Sequence, residues 1–542
     1  MLLGLIVALA VNSQTSKPEA ALASLGGFHR KVATESPQAQ RFFDQGLLCL
    51  YAFHYGQARR SFQVAVTLDP KCAMNYWGIA YSYGPFINAP DVDPAQSKRA
   101  LDALNQADAA PEAFPLERQI IGAQRVRFST DGPADRTKLN QAYAGQMGAL
   151  WKAHPNDPDV GALYAEALID ERPWNQWTLD GKANPGTLEA ISVLESVLRM
   201  NSKHPMGLHM YIHALEASPQ PERALRAADT LFNLVPELGH LQHMPCHIYA
   251  RLGRWERSIT ANLDAIAKVD KYMASRGIDP NRGPRVDHYG EALAFAAGMR
   301  GMSQLALDAV TLKGTPLKDL EADYADADGD LAMPLEIEQQ FGKWDQILST
   351  PSFGAKLPIS ETMRLGARCV AYAATGHLAE AKTERDRFGQ SLSKIPASKS
   401  DGLNLVHDIL AVEHHLMEGE ILIREAGHED DGLAELRRAV ECEDALHYSE
   451  PPEWLMPTRH SLGAALLLLG RYREAEPVFR ENLRRTPNDG WATLGLAKSY
   501  AGEGKNREAA LYQSKFKKLW KDADISINTS CLCLETSAKA KD

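Results

Sequence analysis

The chain has 542 residues, 44% hydrophobic and 24% charged, which suits a folded globular protein or a long repeat array with ample core. Its net charge of −10, without a sustained Lys/Arg run, argues against a nucleic-acid or anionic-membrane partner. No stretch approaches the roughly 20 apolar residues of a transmembrane helix, and seven scattered cysteines without a Cys-x-x-Cys spacing give no zinc-finger or thioredoxin framework.

Residues 2–11 are almost continuously apolar and are followed by polar Asn12, Ser13 and Gln14 and the small-residue run Ala21-Leu22-Ala23. That pattern reads as a signal peptide over residues 1–23, so a secreted or periplasmic location is expected. The Lys or Arg that usually precedes such a stretch is missing. The alternative is a partly buried helix start in a cytoplasmic protein.

Gly46, Ala58, Phe62, Ala65 and Pro70 then fall at the signature positions of a tetratricopeptide repeat. The small residues let two helices approach, and the proline ends the second helix. Tyr76, Ala80 and Tyr83 continue the register until Gly84-Pro85 breaks it. Residues 95–150 read as helices of weaker repeat character, and 157–170 as a helix carrying Glu166 and Asp170. Next comes an insertion with Trp174 and Trp177, either a capped turn with aromatic packing or a lid over a site. Helical units follow over 187–200, 208–236, 242–270 and 288–310. After acidic, loop-rich residues in the 310s to 350s, hairpins resume at 366–388, 403–425 and 461–519, the last with Gly463, Tyr472, Ala475, Phe479 and Pro487. The fold class expected is all-α, a tetratricopeptide-like solenoid of helical hairpins with a concave groove. An N-terminal array spans 24–310, a C-terminal array 311–528, and 529–542 is expected to be a disordered tail in which Cys531 and Cys533 are incidental.

Histidines concentrate between residues 204 and 247. His209 and His213 are four apart, one helical turn, and so are His243 and His247. The two pairs are offset by 34 residues (209 to 243, 213 to 247), the repeat period itself. Two chelating pairs therefore stand on neighbouring helices whose axes lie roughly 8–10 Å apart. Likeness to tetratricopeptide arrays implies that these four face the groove, with His240, His288, Glu291, Glu166 and Asp170 on the same surface. His209, His213, His240, His243, His247 and His288 are accordingly the candidate metal ligands. An i, i+4 imidazole pair pre-organises two metal–nitrogen bonds of about 2.0–2.1 Å. Nitrogen and carboxylate donors without a thiolate suit copper, zinc or non-haem iron, and export would favour copper. His204 is read as a cap of the preceding helix and Cys246 as packing against the second helix of its hairpin. His377, His407, His414, His415 and His428 are read as ordinary surface or core residues.

The block Gly239-His-Leu-x-His-Met-Pro-x-His-Ile-Tyr-x-Arg-Leu-Gly253 resembles a signature of a family of microbial tetratricopeptide-repeat proteins. Further matching blocks are Phe43-Asp-Gln-Gly-Leu47, Tyr76-Trp-Gly78, Tyr164-Ala-Glu-Ala-Leu168, Tyr211-Ile-His213 and Glu450-Pro-Pro452. The resemblance covers most of the chain and implies the fold without an agreed activity. The chain departs from the family pattern at His288-Tyr-Gly-Glu291, at Phe53-His54-Tyr55 and at Phe86. His54 is thus only a weak candidate, and Glu291 offers an anionic ligand where an imidazole is usual.

Six imidazoles exceed the ligand set of a closed structural site, which favours open coordination positions or two metals. A copper- or iron-dependent oxidoreductase is the leading expectation. A zinc hydrolase would use Glu166, Glu216 or Glu291 as general base, although no His-Glu-x-x-His motif is present. The contrasting expectation is an interaction scaffold gripping a peptide in the groove. The partner expected is a small molecule or peptide.

Overall fold

The computed structural model describes residues 19–129, 135–278, 288–311 and 328–534. The apolar stretch expected as a signal peptide lies outside the described residues. The described chain is α-helical apart from one antiparallel pair of two-residue strands, Ser400–Asp401 with Asn404–Leu405, and short 3₁₀ turns. It divides into two compact units, an N-terminal one of residues up to 248 together with 260–278, and a C-terminal one of 249–259 together with residues from 288 onward.

The N-terminal unit holds α1 (Pro37–Tyr51), α2 (Tyr55–Leu68), α3 (Ala73–Tyr81), α4 (Pro94–Ala109), α5 (Pro115–Arg125), α6 (Arg136–Ala153), α7 (Pro158–Asp170), α8 (Thr187–Met200), α9 (Pro205–Glu216), α10 (Leu225–Leu231) and α11 (Gly239–His243). Helices α12 (Pro245–Arg251) and α13 (Trp255–Ser275) carry the chain across the boundary. Successive helices pack as hairpins, α1 on α2, α7 on α8 and α9 on α10. The reason is visible at Phe62 of α2. A Cβ added at Gly46 of α1 would lie 2.7 Å from its ring, and one at Gly78 of α3 would lie 2.4 Å from it. The aromatic ring fills the space two glycines leave, so three helices close on one side chain.

The C-terminal unit repeats the device. Its helices are α14 (His288–Gly298), α15 (Ser303–Val310), α16 (Met333–Gln340), α17 (Trp344–Ser349), α18 (Pro358–Ala374), α19 (Leu378–Leu392), α20 (Val406–Leu422), α21 (Glu429–Ala445), α22 (Arg459–Leu468), α23 (Tyr472–Arg485), α24 (Gly490–Gly502) and α25 (Asn506–Leu519). Phe479 of α23 meets Gly463 of α22 and Gly495 of α24, each Cβ position 2.2 Å from the ring. In both units the aromatic stands sixteen residues from each glycine (46, 62, 78 and 463, 479, 495). The architecture is a tetratricopeptide-like solenoid of helical hairpins.

Residues 529–542 do not behave as a wholly disordered tail. Residues 532–534 form a 3₁₀ turn (Leu532–Leu534), and Ser530, Cys531, Cys533 and Leu534 are buried against α18 and α22. Residues 535–542 lie outside the described residues.

Candidate metal centre

Helix α9 has no polar face. Every residue from Pro205 to Glu216 is buried, so His209 and His213 enter the interior with the apolar side chains. Its start is fixed by His204, whose Nδ1 accepts from the Gly207 N–H at 3.0 Å. His204 therefore caps the helix that follows it, not the preceding one. With Nδ1 accepting, Nε2 carries the proton and donates to Asp159 Oδ1 at 3.2 Å. Asp159 also receives Arg30 at 2.7 Å and the Tyr51 hydroxyl at 2.7 Å. Burial alone raises its pKa, and Arg30 and His204 reverse that and hold it low. This buried network locks α1 to α7 and α9.

The second histidine pair sits on a broken element. Pro245 interrupts the helix, so α11 ends at His243 and α12 begins at Pro245, with the His247 N–H donating to the Met244 carbonyl at 3.3 Å. Across the break the His243 and His247 ring centroids stay 4.8 Å apart. Gly239 lets α11 approach α13: a Cβ there would lie 2.8 Å from Val269 Cγ2 and 3.0 Å from the Ala265 carbonyl oxygen.

These elements bring five imidazoles together. His209, His213 and His240 each place one ring nitrogen within 4.8 Å of the others. The His213 and His247 centroids are 5.9 Å apart and those of His240 and His243 5.7 Å. All five are between 0% and 6% exposed. The expectation of an open groove surface is corrected here: the site is interior.

The outward nitrogens are held by acceptors. His209 Nδ1 donates to the Tyr51 carbonyl at 2.6 Å, and His243 Nδ1 to Asn262 Oδ1 at 2.6 Å. Glu216 takes His213 Nδ1 on one oxygen at 2.7 Å and His247 Nδ1 on the other. A proton on Nδ1 leaves the lone pair on Nε2, which is the tautomer a metal ligand needs. The Nε2 atoms turn inward: His209 faces His240 at 3.2 Å, His243 faces His247 at 2.8 Å, and His213 Nε2 has no partner among the described residues. Burial, together with the neighbouring imidazoles, lowers the pKa of His209 and of His240 well below the ordinary value, so both are neutral at pH 7. For Glu216 burial acts upward, but His247 and His213 outweigh it and hold the carboxyl at about 2. Cys246 Sγ lies 3.5 Å from His243 Nδ1, on the outer side of that ring, so its contact is with the histidine itself.

Two strained aromatic residues cover the cluster. Phe53 (φ 56°) stacks on His213 at 5.7 Å and touches His209 at 4.4 Å and His240 at 5.3 Å. Trp174 (φ 63°) stands perpendicular to His213, ring centroids 5.5 Å apart. Left-handed backbone at two bulky residues costs about 1–3 kcal/mol each and is sustained where surrounding structure over-determines it. Trp177 anchors the inserted loop by donating to the Ala214 carbonyl at 2.8 Å. The loop is thus both a tied turn and a cover. His54 is half-buried before α2, hydrogen-bonded to Gln57, and burial lowers its pKa to about 4.

The three carboxylates expected as general bases are placed differently. Both Glu216 oxygens accept from imidazoles, which positions those two rings. Glu166 and Asp170 lie in a separate buried group with Tyr55 and Arg127, Arg127 pairing with Asp170 while Glu166 Oε2 has no partner among the described residues. Burial and the neighbouring Asp170 raise the Glu166 pKa well above the ordinary value; burial raises that of Asp170 to about 6 against the pull of Arg127. His288 and Glu291 stand on α14 of the C-terminal unit, where Glu291 lines an acid-walled cavity of about 90 Å³ with Asp328, Asp330, Asp401 and Glu453. Sequence reasoning missed the Tyr51 carbonyl, Asn262 and Phe53. Only Glu216 carried a readable signal, standing one helical turn from His213.

No family model matches the chain, and no curated protein matches it. Solved structures do so at low identity. A human IFIT1 dimer with m7Gppp-AAAA is 12% identical over 90% of this chain and 91% of that one, with a TM-score of 0.33. The P58(IPK) TPR domain is 15% identical over 89% and 92%, with a TM-score of 0.22. Cut9 in the APC/C hetero-tetramer Cut9–Hcn1 is 10% identical over 94% and 78%, with a TM-score of 0.27. Among the described residues no helix is long and apolar enough to cross a membrane.

Proposed function

We propose that the N-terminal unit binds a transition metal through His209, His213 and His240, with His243 and His247 supplying a second pair beside them, and that the protein is a copper-dependent oxidoreductase. The carrying observation is the inward convergence of Nε2 atoms, with the Nδ1 atoms of His209, His213, His243 and His247 each held by an acceptor. Two Nε2 lone pairs 2.8 Å apart repel unless a proton or a metal ion lies between them. Ligands at about 2.0–2.1 Å from a metal stand about 2.9 Å apart in square geometry and about 3.3 Å apart in tetrahedral geometry. The observed 2.8 and 3.2 Å separations fit those edges. A bound copper ion would supply one-electron chemistry; the chain's own residues fix the ligand tautomers and keep water out.

The all-imidazole donor set suits copper, as it suits zinc and iron, and the short 2.8 Å edge fits the square geometry that Cu²⁺ prefers. Engagement of both Glu216 oxygens weighs against zinc hydrolysis through that residue. Burial of all five imidazoles weighs against an extended peptide touching them. The motif over residues 239–253, which resembles that of the microbial repeat family, supplies His240, His243 and His247. Export from the cytoplasm belongs to the same reading, because it gives copper access.

The test is electron paramagnetic resonance of full-length protein loaded with Cu²⁺. Hyperfine coupling to several nitrogens, reduced in His213→Ala, is the expected result. A spectrum with oxygen ligands only, unchanged in that variant, would overturn the assignment.

A further inference from the structure

The C-terminal segment carries chemistry outside the histidine cluster. Cys531 and Cys533 are each 2% exposed and are joined to one another, and each sulfur and a Glu420 carboxylate oxygen from α20 lie within 4.8 Å of one another. The Ser461 hydroxyl is 3.4 Å from one sulfur and 3.6 Å from the other. Glu420 is fully buried. Its Oε2 accepts from Arg424 at 2.8 Å, and its Oε1 has no partner among the described residues. Arg424 reaches on to the Cys533 carbonyl, and Ser530 Oγ donates to the His460 carbonyl at 2.9 Å, so the segment is held in place from two sides.

A disulfide sulfur has no proton to donate and no charge to neutralise a carboxylate. An orphan oxygen buried beside one loses its hydration and gains no partner in return. The same three residues in the dithiol state form a coherent donor set: two thiolates, one carboxylate and a hydroxyl at the fourth side. Two thiolates with a carboxylate suit a d¹⁰ cation in tetrahedral coordination.

We propose that Cys531, Cys533 and Glu420 form a second metal site, separate from the histidine cluster, that binds zinc and pins the C-terminal segment to α20 and α22. The disulfide is the oxidised, metal-free form of the same pair. Opening it takes two electrons from an added phosphine, which leaves as its oxide while water supplies the oxygen and the two thiol protons, and zinc then displaces those protons.

The experiment uses the full chain, reduced with a phosphine, loaded with Zn²⁺ and freed of excess metal. A His209→Ala/His247→Ala background separates this zinc from any held by the histidine cluster. About one equivalent of zinc should remain in that background and disappear in Cys531→Ser/Cys533→Ser. Two additional thiols should react with a disulfide reagent only after a chelator removes the metal. If the double serine variant does not fold, Glu420→Gln should weaken zinc binding about tenfold or more while leaving both thiols countable. Equal zinc content with and without the cysteines, or two thiols equally reactive before and after chelation, would overturn the proposal.

Discussion

Replacing Glu216 by Gln tests the logic of the histidine cluster at its most loaded residue. One carboxylate accepts the Nδ1 protons of His213 and His247 together. A glutamine keeps one acceptor oxygen and presents an NH₂ donor where the other oxygen stood. One imidazole must then move its proton to Nε2, which removes a metal lone pair, or leave two donors opposed. Loss of one such outer acceptor costs about 10–100-fold in metal affinity, or about 1.4–2.7 kcal/mol. The side chain is isosteric and buried, so the fold should persist. Competition titration of full-length wild type and Glu216→Gln against a chromogenic copper chelator reads the change directly. Equal affinities would refute the idea that Glu216 sets the tautomers.

Other consequences follow from the same geometry. Burial lowers the pKa of His209 and His240 below 6.5, so the unfolded chain binds more protons than the folded one as pH falls. Metal-free protein should therefore lose stability progressively below pH 6.5, and bound metal should persist below the pH at which free imidazole releases it; a flat Tm from pH 7 to 5 would contradict this. Trp174→Gly keeps a backbone that tolerates φ 63° but removes the indole ring from beside His213, so chelators should strip metal several-fold faster without a large change in affinity. Gly78→Ala places a methyl 2.4 Å from the Phe62 ring and should cost about 1–3 kcal/mol in urea denaturation, despite the better helix propensity of alanine.

The repeat architecture was legible because its signals are local. Gly46, Phe62, Gly463 and Phe479 obey a fixed spacing, and the 34-residue offset of the histidine pairs placed His209, His213, His243 and His247 in one neighbourhood before any coordinates. Interior burial was not legible, because a groove position and a core position share the same helical phase. Pro245 broke the expected continuous helix, yet the His243 and His247 rings remain 4.8 Å apart. Tyr51 acts through its backbone, which no side-chain pattern announces. Asn262 stands on α13, at no motif spacing. Cys531 and Cys533 looked incidental in a Ser/Thr-rich stretch because their partners, Glu420 and Ser461, are more than 69 residues away in sequence (Ser461 to Cys531 is 70).

The most direct test of the central claim is elemental analysis of the purified, untagged protein beside His209→Ala/His247→Ala. The account predicts about one or two equivalents of transition metal, copper foremost, in the wild type and their loss in the variant. Wild-type protein that holds no copper, iron or zinc even after reconstitution, or a variant that retains the wild-type content, would contradict it.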